Sequence, residues 1–414
     1  MKQMKHWKVT LVAAAAATAS AVALTRDRVT PEGQASRSNN AFGVKLFANT
    51  TTRSSVGNKF LSPTSAYLAL SIVANGASGN TRRDMEEALA IAPFGRDAMN
   101  VANERLIRAL REKSDGTELS IANAVWVKED YEIQQAFLDR VVEPYSSRVE
   151  RLDFASPKAS ETINGWTAKE TRDKIKNIVP ERLPEESRVI VTNAVYFKAK
   201  WEIPFAAAET RLARFDNGRR GVDVPMMHSA AHYRYAKLDD GSEAIALPYV
   251  GGKTEMIVWL PKYRQLSVAE RAVRDGALDA IAHKLDRTKA SYGRLALPKL
   301  RMEYEASLNE PLAKLGMGSA FDDGADFTDL AKDRLAISSV LQKTFIGIDE
   351  EGTEAAAVTA IIVGAASAPP PPTFTMTVDR PYVFAIRHRP TGALLFIGSV
   401  QEPEGGKLPP PPKL

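Results

Sequence analysis

Residues 350–372 read EEGTEAAAVTAIIVGAASAPPPP, and they constrain the fold more than any other part of the chain. From position 355 to position 368, fourteen residues pass without a charge. That is shorter than the ~18 apolar residues of a membrane span, less polar than a loop and longer than an ordinary strand of about 5–6 residues. In an extended chain alternate side chains share a face. One face then carries Thr353, Ala355, Ala357, Thr359, Ile361 and Val363, and the other Glu354, Ala356, Val358, Ala360 and Ile362. The one charge, Glu354, is kept off the first face, and Gly352 supplies a hinge without a Cβ. The segment is composed like a strand and bounded like a loop. A buried alanine-rich helix end is the other reading of it.

The N-terminus bears Lys2, Lys5 and Lys8, then an apolar run over 9–24 with small residues at Ala19-Ser20-Ala21 and Ala21-Val22-Ala23. This is the layout of a secretory signal peptide over 1–23, with an uncleaved anchor as the alternative. A secreted or periplasmic location is therefore expected. The chain has no cysteine, which excludes a lipoprotein attachment site and disulfides alike. Without the leader's three lysines the formal charge falls from +5 to +2, and no basic block points to nucleic acid. A flexible segment is expected over 24–37, one domain over 38–403 and a proline-rich tail over 404–414.

Helical periodicity runs through 38–52, 64–76, 81–91, 96–113, 132–143, 158–173 and 267–284. Strand-like runs occupy 118–127, 188–198, 243–260, 291–305, 335–348, 374–387 and 393–400. Helices dominate the first half and strands the second, which predicts an α+β fold.

No catalytic constellation emerges. His228 and His232 stand four apart, but no glutamate follows His228, and Pro225, Tyr233 and Tyr235 favour a strand there, so no zinc-protease signature exists. There is no G-x-S-x-G, and no S-x-x-K with a later K-T-G. Gly252-Lys253-Thr254 lacks the earlier glycine of a P-loop, since that position is Leu247. The expectation is a non-enzyme with no metal and no cofactor.

Several ordered stretches carry a family resemblance. They are Asn58-Lys59-Phe60-Leu61-Ser62-Pro63-Thr64-Ser65, Asn164-Gly165-Trp166 onward, and TNAVYFKAKW from Thr192 to Trp201. Leu247-Pro248-Tyr249, Leu297-Pro298-Lys299-Leu300, Leu315-Gly316-Met317 and Ala325-Asp326-Phe327 follow, then GTEAAAVTA and FTMTVDRPYVFAIRHRPTGALLFIGSVQEP. Over roughly 38–403 the chain resembles the serpins. The resemblance implies about nine helices and three sheets, with an exposed reactive-centre loop. It also implies a suicide inhibitor of serine proteases, acting as a monomer through a covalent 1:1 complex.

The family's spacing from Glu350 puts the reactive bond between Ala366 and Ser367, with cleavage after Val363 or Ala365 as alternatives. A small residue before that bond suits a shallow specificity pocket, as in elastase-like or subtilisin-like enzymes. The resemblance makes Glu350, Gly352, Thr353, Glu354, Ala355, Ala356 and Ala357 the hinge. Ser62, Ser65, Asn193 and Gln342 become the cluster that controls opening of the main sheet, and Trp201 stands where the hinge enters. Gln342 replaces the family's usual histidine, which removes an imidazole titration while keeping a donor and an acceptor. Val358 is slightly larger than the family's usual residue. Non-inhibitory members commonly have bulky, charged or proline residues in the hinge, so these small ones favour inhibition over a carrier or chaperone role. By family analogy, Arg105, Arg108, Arg111 and Lys113 are a candidate polyanion surface.

Overall fold

Three helices begin with the same kind of dipeptide: Thr30-Pro31, Ser62-Pro63 and Ser156-Pro157. In each the hydroxyl oxygen accepts from an N–H two or three residues on, at 3.3 Å from Gly33, 3.3 Å from Ser65 and 3.4 Å from Lys158. Proline then takes the first helical position, where no intrahelical partner awaits an N–H. The computed structural model describes residues 30–50, 57–262, 266–353 and 370–403. Its helices are α1 (Pro31–Asn49), α2 (Pro63–Ala74), α3 (Gly79–Ala88), α4 (Arg96–Arg111), α5 (Gln135–Tyr145), α6 (Pro157–Glu170), α7 (Leu266–Arg274), α8 (Ala277–Arg287) and the short α9 (Asn309–Leu312).

The strands are β1 (Lys59–Leu61), β2 (Thr117–Lys128), β3 (Arg148–Leu152), β4 (Val189–Lys200), β5 (Arg211–Asp216), β6 (Gly221–Lys237), β7 (Glu243–Pro248), β8 (Thr254–Leu260), β9 (Ser291–Pro298), β10 (Leu300–Ser307), β11 (Ile337–Ile348), β12 (Gly352–Thr353), β13 (Phe374–Thr377), β14 (Tyr382–His388) and β15 (Ala393–Val400). One sheet has the order β10-β11-β12-β4-β2-β3. A nine-stranded path, β1-β15-β14-β8-β7-β6-β9-β13 with β5 on β6, makes up the rest. The expected second and third sheets are thus joined. The long β6 pairs with β9 from Met226 to Tyr233 and with β7 from Arg234 to Lys237.

The main core lies between the two sheets and the helices beneath them, and a smaller cluster sits on the opposite face of the six-stranded sheet. There Ile163 of α6, with Ile175, Ile178 and Val179 of the chain that follows, covers Trp126 and Ile190. Central β4 is buried almost throughout, whereas β10 at the edge alternates, with Leu300, Met302, Tyr304 and Ala306 inward.

Two expectations need correction. Residues 31–37 of the segment expected to be flexible are helical, because Thr30 and Pro31 start α1 there and Ala35 and Ser36 are already buried. The single helix expected over 267–284 is two, parted at Gly276, whose φ of 95° lies in the left-handed region open to glycine. The leader and the tail lie outside the described residues. Among the described residues no helix is long and apolar enough to cross a membrane.

Candidate hinge and sheet-opening site

The six-stranded sheet contains one seam of a different kind. β4 and β11 run parallel and pair directly, with Gln342 opposite Asn193 and Thr344 opposite Val195. Beyond Thr344 the two strands are parted by β12, which runs antiparallel to both. Thr353 pairs with Ala199 of β4 on one side and Ile348 of β11 on the other. A tight turn makes this possible. Asp349 N–H donates to the Gly352 carbonyl at 2.9 Å, while its carboxylate accepts from the N–H groups of Glu351 and Gly352 at 2.9 and 3.2 Å. At Gly352 a Cβ would lie 2.0 Å from the Ala199 carbonyl oxygen, so only glycine allows this approach.

Side chains hold the hinge on every side. Thr353 is fully buried, and its hydroxyl meets the Tyr249 hydroxyl at 2.7 Å. Tyr249 stacks on Trp201 with 4.5 Å between ring centres, and the Trp201 indole N–H donates to the Asp349 carbonyl at 3.0 Å. The Glu350 carboxylate takes Lys299 at 2.6 Å and the Thr210 hydroxyl at 2.7 Å. Burial pushes the Glu350 carboxyl up, but the hydrogen bonds from Lys299 and Thr210 outweigh it and hold the group below its ordinary value. Asp349 moves the other way: burial raises it above its ordinary value against the two N–H donors. Burial also raises the Tyr249 phenol and keeps it neutral.

Further down the seam lies a polar cluster. The Gln342 amide donates to the Ser62 carbonyl at 3.0 Å and to the Asn193 side chain, and its oxygen accepts from Ser62 N–H at 3.0 Å. The Asn193 amide donates to Ser65 and to Asn123. Ser65 also donates to Asn123 at 3.2 Å, and Ser62 to the Leu395 carbonyl at 2.8 Å. Asn123, Asn193 and Gln342 are level across β2, β4 and β11. All five side chains are buried, so their mutual bonds offset a desolvation cost of about 1–3 kcal/mol per group left unpaired.

The structure therefore gathers Glu350, Gly352, Thr353 and Trp201 at one level of the seam and Ser62, Ser65, Asn193 and Gln342 at another. Glu354, Ala355, Ala356, Ala357, Ala366 and Ser367 lie outside the described residues. Sequence reasoning missed Asn123, Thr210, Lys299 and the bonding role of Tyr249. For Asn123 a signal existed, since it interrupts the apolar run SIANAVWV. His228 and His232 are on β6; the first meets the Glu209 carbonyl at 3.0 Å and the second packs against Tyr292.

Residues 37–403 match the model of the serpin (serine protease inhibitor) family. The chain is similar to an uncharacterised serpin-like protein of Thermococcus kodakarensis, 34% identical over 84% of this chain and 82% of that one. It is 31% identical to the leukocyte elastase inhibitor of Bos taurus, over 89% of this chain and 100% of that protein. Among solved structures, human thyroxine-binding globulin in complex with its hormone aligns with a TM-score of 0.80 at 26% identity, covering 90% of this chain and 100% of the other. The family is one of protease inhibitors and not of catalysts. The chain belongs to the serpin family.

Proposed function

We propose that this protein is an irreversible suicide-substrate inhibitor of extracellular serine proteases of elastase-like or subtilisin-like preference, exported through its leader. The protease serine attacks the Ala366 carbonyl carbon. The bond to Ser367 breaks, Ser367 leaves as a protonated amine, and an ester joins the two proteins. The segment from Thr353 onward then continues β12 down the seam and carries the protease with it, distorting its oxyanion hole before water can cleave the ester. Strand addition by loop insertion is known from serpins as a family.

The observation that carries this reading is the seat of Thr353. Its register with Ala199 and Ile348, continued without a shift, brings Ala355, Ala357, Thr359, Ile361 and Val363 level with Phe197, Val195, Asn193, Val191 and Val189. On the β4 side apolar residues meet apolar neighbours, and Thr359 meets Asn193 there and Gln342 on β11. Its hydroxyl suits the amides that lose each other when the seam opens. Insertion also replaces one parallel pairing with two antiparallel ones, and parallel pairing is slightly the weaker. About a dozen new backbone hydrogen bonds at about 1 kcal/mol net each supply an adequate driving force.

A hormone carrier such as thyroxine-binding globulin shares the fold, and a carrier or chaperone role is the second reading. Incubation with a panel of serine proteases separates the two. The inhibitor gives a 1:1 adduct that survives denaturing electrophoresis and releases a peptide whose mass begins at Ser367. A carrier is cut and turned over with no adduct.

A further inference from the structure

Where the end of α4 and the start of β2 meet the tips of β8 and β14, the protein leaves a cavity of about 220 Å³. The chain between α4 and β2 is held in place by backbone bonds: the Lys200 N–H donates to the Gly116 carbonyl at 2.9 Å, and the Thr117 N–H to the Ser114 carbonyl at 3.2 Å. Lys253, the residue before β8, reaches Glu112 at 2.9 Å, and Arg172 reaches Glu118 of β2 at 2.6 Å. Both ion pairs line the cavity and keep contact with solvent. Leu110, Leu119 and Tyr196 supply its apolar surface. Thr254 opens β8 opposite His388, the last residue of β14, and each is only 5% exposed. The His388 ring is neutral: its Nδ1 meets the Thr391 hydroxyl at 2.9 Å, and burial, with Lys253 nearby, lowers it to about 4. The buried Thr254 hydroxyl has no hydrogen-bond partner among the described residues, and neither has the buried hydroxyl of Thr117. Both threonines line the cavity. Buried hydroxyls are almost always paired, so two without partners in one cavity mark a place for the polar group of a ligand.

We infer that this cavity binds a small monocarboxylate with a compact apolar body, its carboxylate accepting from the Thr254 and Thr117 hydroxyls. Charge selects the head group. Of the ionised side chains that line the cavity, Arg111, Lys113, Arg172 and Lys253 are cations, and only Glu112 and Glu118 are anions. An ammonium would meet that excess of positive charge, whereas a carboxylate is drawn to it. A carboxylate also accepts without needing to donate, and a hydroxyl can turn its hydrogen toward it. Such charge-assisted bonds are stronger than neutral ones. Size selects the body. A hydrocarbon-lined cavity of about 150 Å³ takes benzene, so this one has room for a ring and a short acid arm. Drug-sized ligands need pockets of about 300 Å³ or more, which excludes a large molecule. The Leu110, Leu119 and Tyr196 side chains give the body apolar surface to cover. The site uses neither the reactive segment nor its insertion, so it stands or falls apart from the inhibitory reading.

Three probes with one body and different heads test this: phenylacetate, 2-phenylethanol and 2-phenylethylammonium, each titrated into the intact protein and followed by NMR. Phenylacetate should bind best, 2-phenylethanol about tenfold more weakly, as expected when a charged acceptor is exchanged for a neutral one, and the ammonium not detectably. Thr254→Val keeps the shape of the side chain and removes its hydroxyl. It should weaken phenylacetate about tenfold yet unfold at the wild-type temperature or above, because no bond within the protein is lost. Thr117→Val repeats the test from β2 and should weaken phenylacetate likewise, while Thr254→Ser should bind as wild type does. Absence of phenylacetate binding at millimolar concentration overturns the site. Equal binding of all three probes also overturns it, since an apolar hole would then suffice. So does undiminished binding in both valine variants. A clear fall in the unfolding temperature of Thr254→Val would show that the hydroxyl already had a partner, and the inference would fail on that result as well.

Discussion

The stretch of the β4–β11 seam from Val189 to Val195 and the stretch near Ala199 are built from the same two strands but held in different ways. In the first, the strands pair directly, and Gln342, Asn193, Asn123, Ser65 and Ser62 tie them to each other and to the start of α2. In the second, the strands are parted and Thr353 is wedged between them, with Glu350, Trp201 and Tyr249 fixing the turn that brings it there. The closed stretch resists opening through groups that would lose partners in an apolar interior. On the proposed mechanism the open stretch would remove the nucleation step, since the first residue of the incoming strand is already seated. A seam that is both sealed and primed would then keep the protein in a kinetically held state until the proposed reactive bond is cut.

Thr353→Arg attacks the primed end and should have the largest effect. The threonine is fully buried between two strands, and an unpaired buried charge costs about 3–5 kcal/mol. Adduct yield should collapse while cleavage continues, as read on denaturing gels. Ala366→Arg is the contrast: recognition moves to trypsin-like enzymes and trapping persists. An unchanged adduct yield in Thr353→Arg would mean that this hinge is not the route into the sheet.

Next comes Lys299→Met, which strips the Glu350 carboxylate of its cation. A hydrogen bond to a charged group is worth about 1.5–3 kcal/mol, and the stability of the intact protein should fall by that order in denaturant titrations. The pH dependence follows from the lowered Glu350 value in the folded state. The pair's contribution is complete above the ordinary carboxylate range and is lost as pH falls through the lowered value. In Lys299→Met this group's share of the acid limb should shrink or vanish, because the cation that lowers Glu350 is gone; superimposable acid limbs would show that the pair does not hold the hinge.

Asn193→Ala loosens the sealed end instead. It leaves the Gln342 amide and Asn123 short of a partner, so stability should drop by about 1–3 kcal/mol. Tyr249→Phe removes only the hydroxyl that meets Thr353 and should cost about 1 kcal/mol. If Tyr249→Phe proves the more damaging of the two, the contrast drawn between a sealed and a primed end is inverted.

How much of this could be read beforehand depended on the residue. The long strands at 117–128, 189–200 and 393–400 stood out, because their apolar runs are bounded by charged or turn residues. β3 did not, since RVERL shows no apolar face and lies at a sheet edge. The cluster around Gln342 was legible through the family resemblance, and Asn123 was overlooked although a lone asparagine in an apolar strand needs a partner. The Lys299–Glu350 pair was invisible because a lysine after a proline and a glutamate in an acidic run carry no local mark of each other.

The most direct test of insertion is a comparison of thermal unfolding for intact protein and for protein cut in the 354–369 segment by a protease that does not become trapped. Insertion predicts a markedly higher midpoint for the cut form, because the segment then extends β12 along the whole seam. Equal midpoints for the two forms would contradict the account.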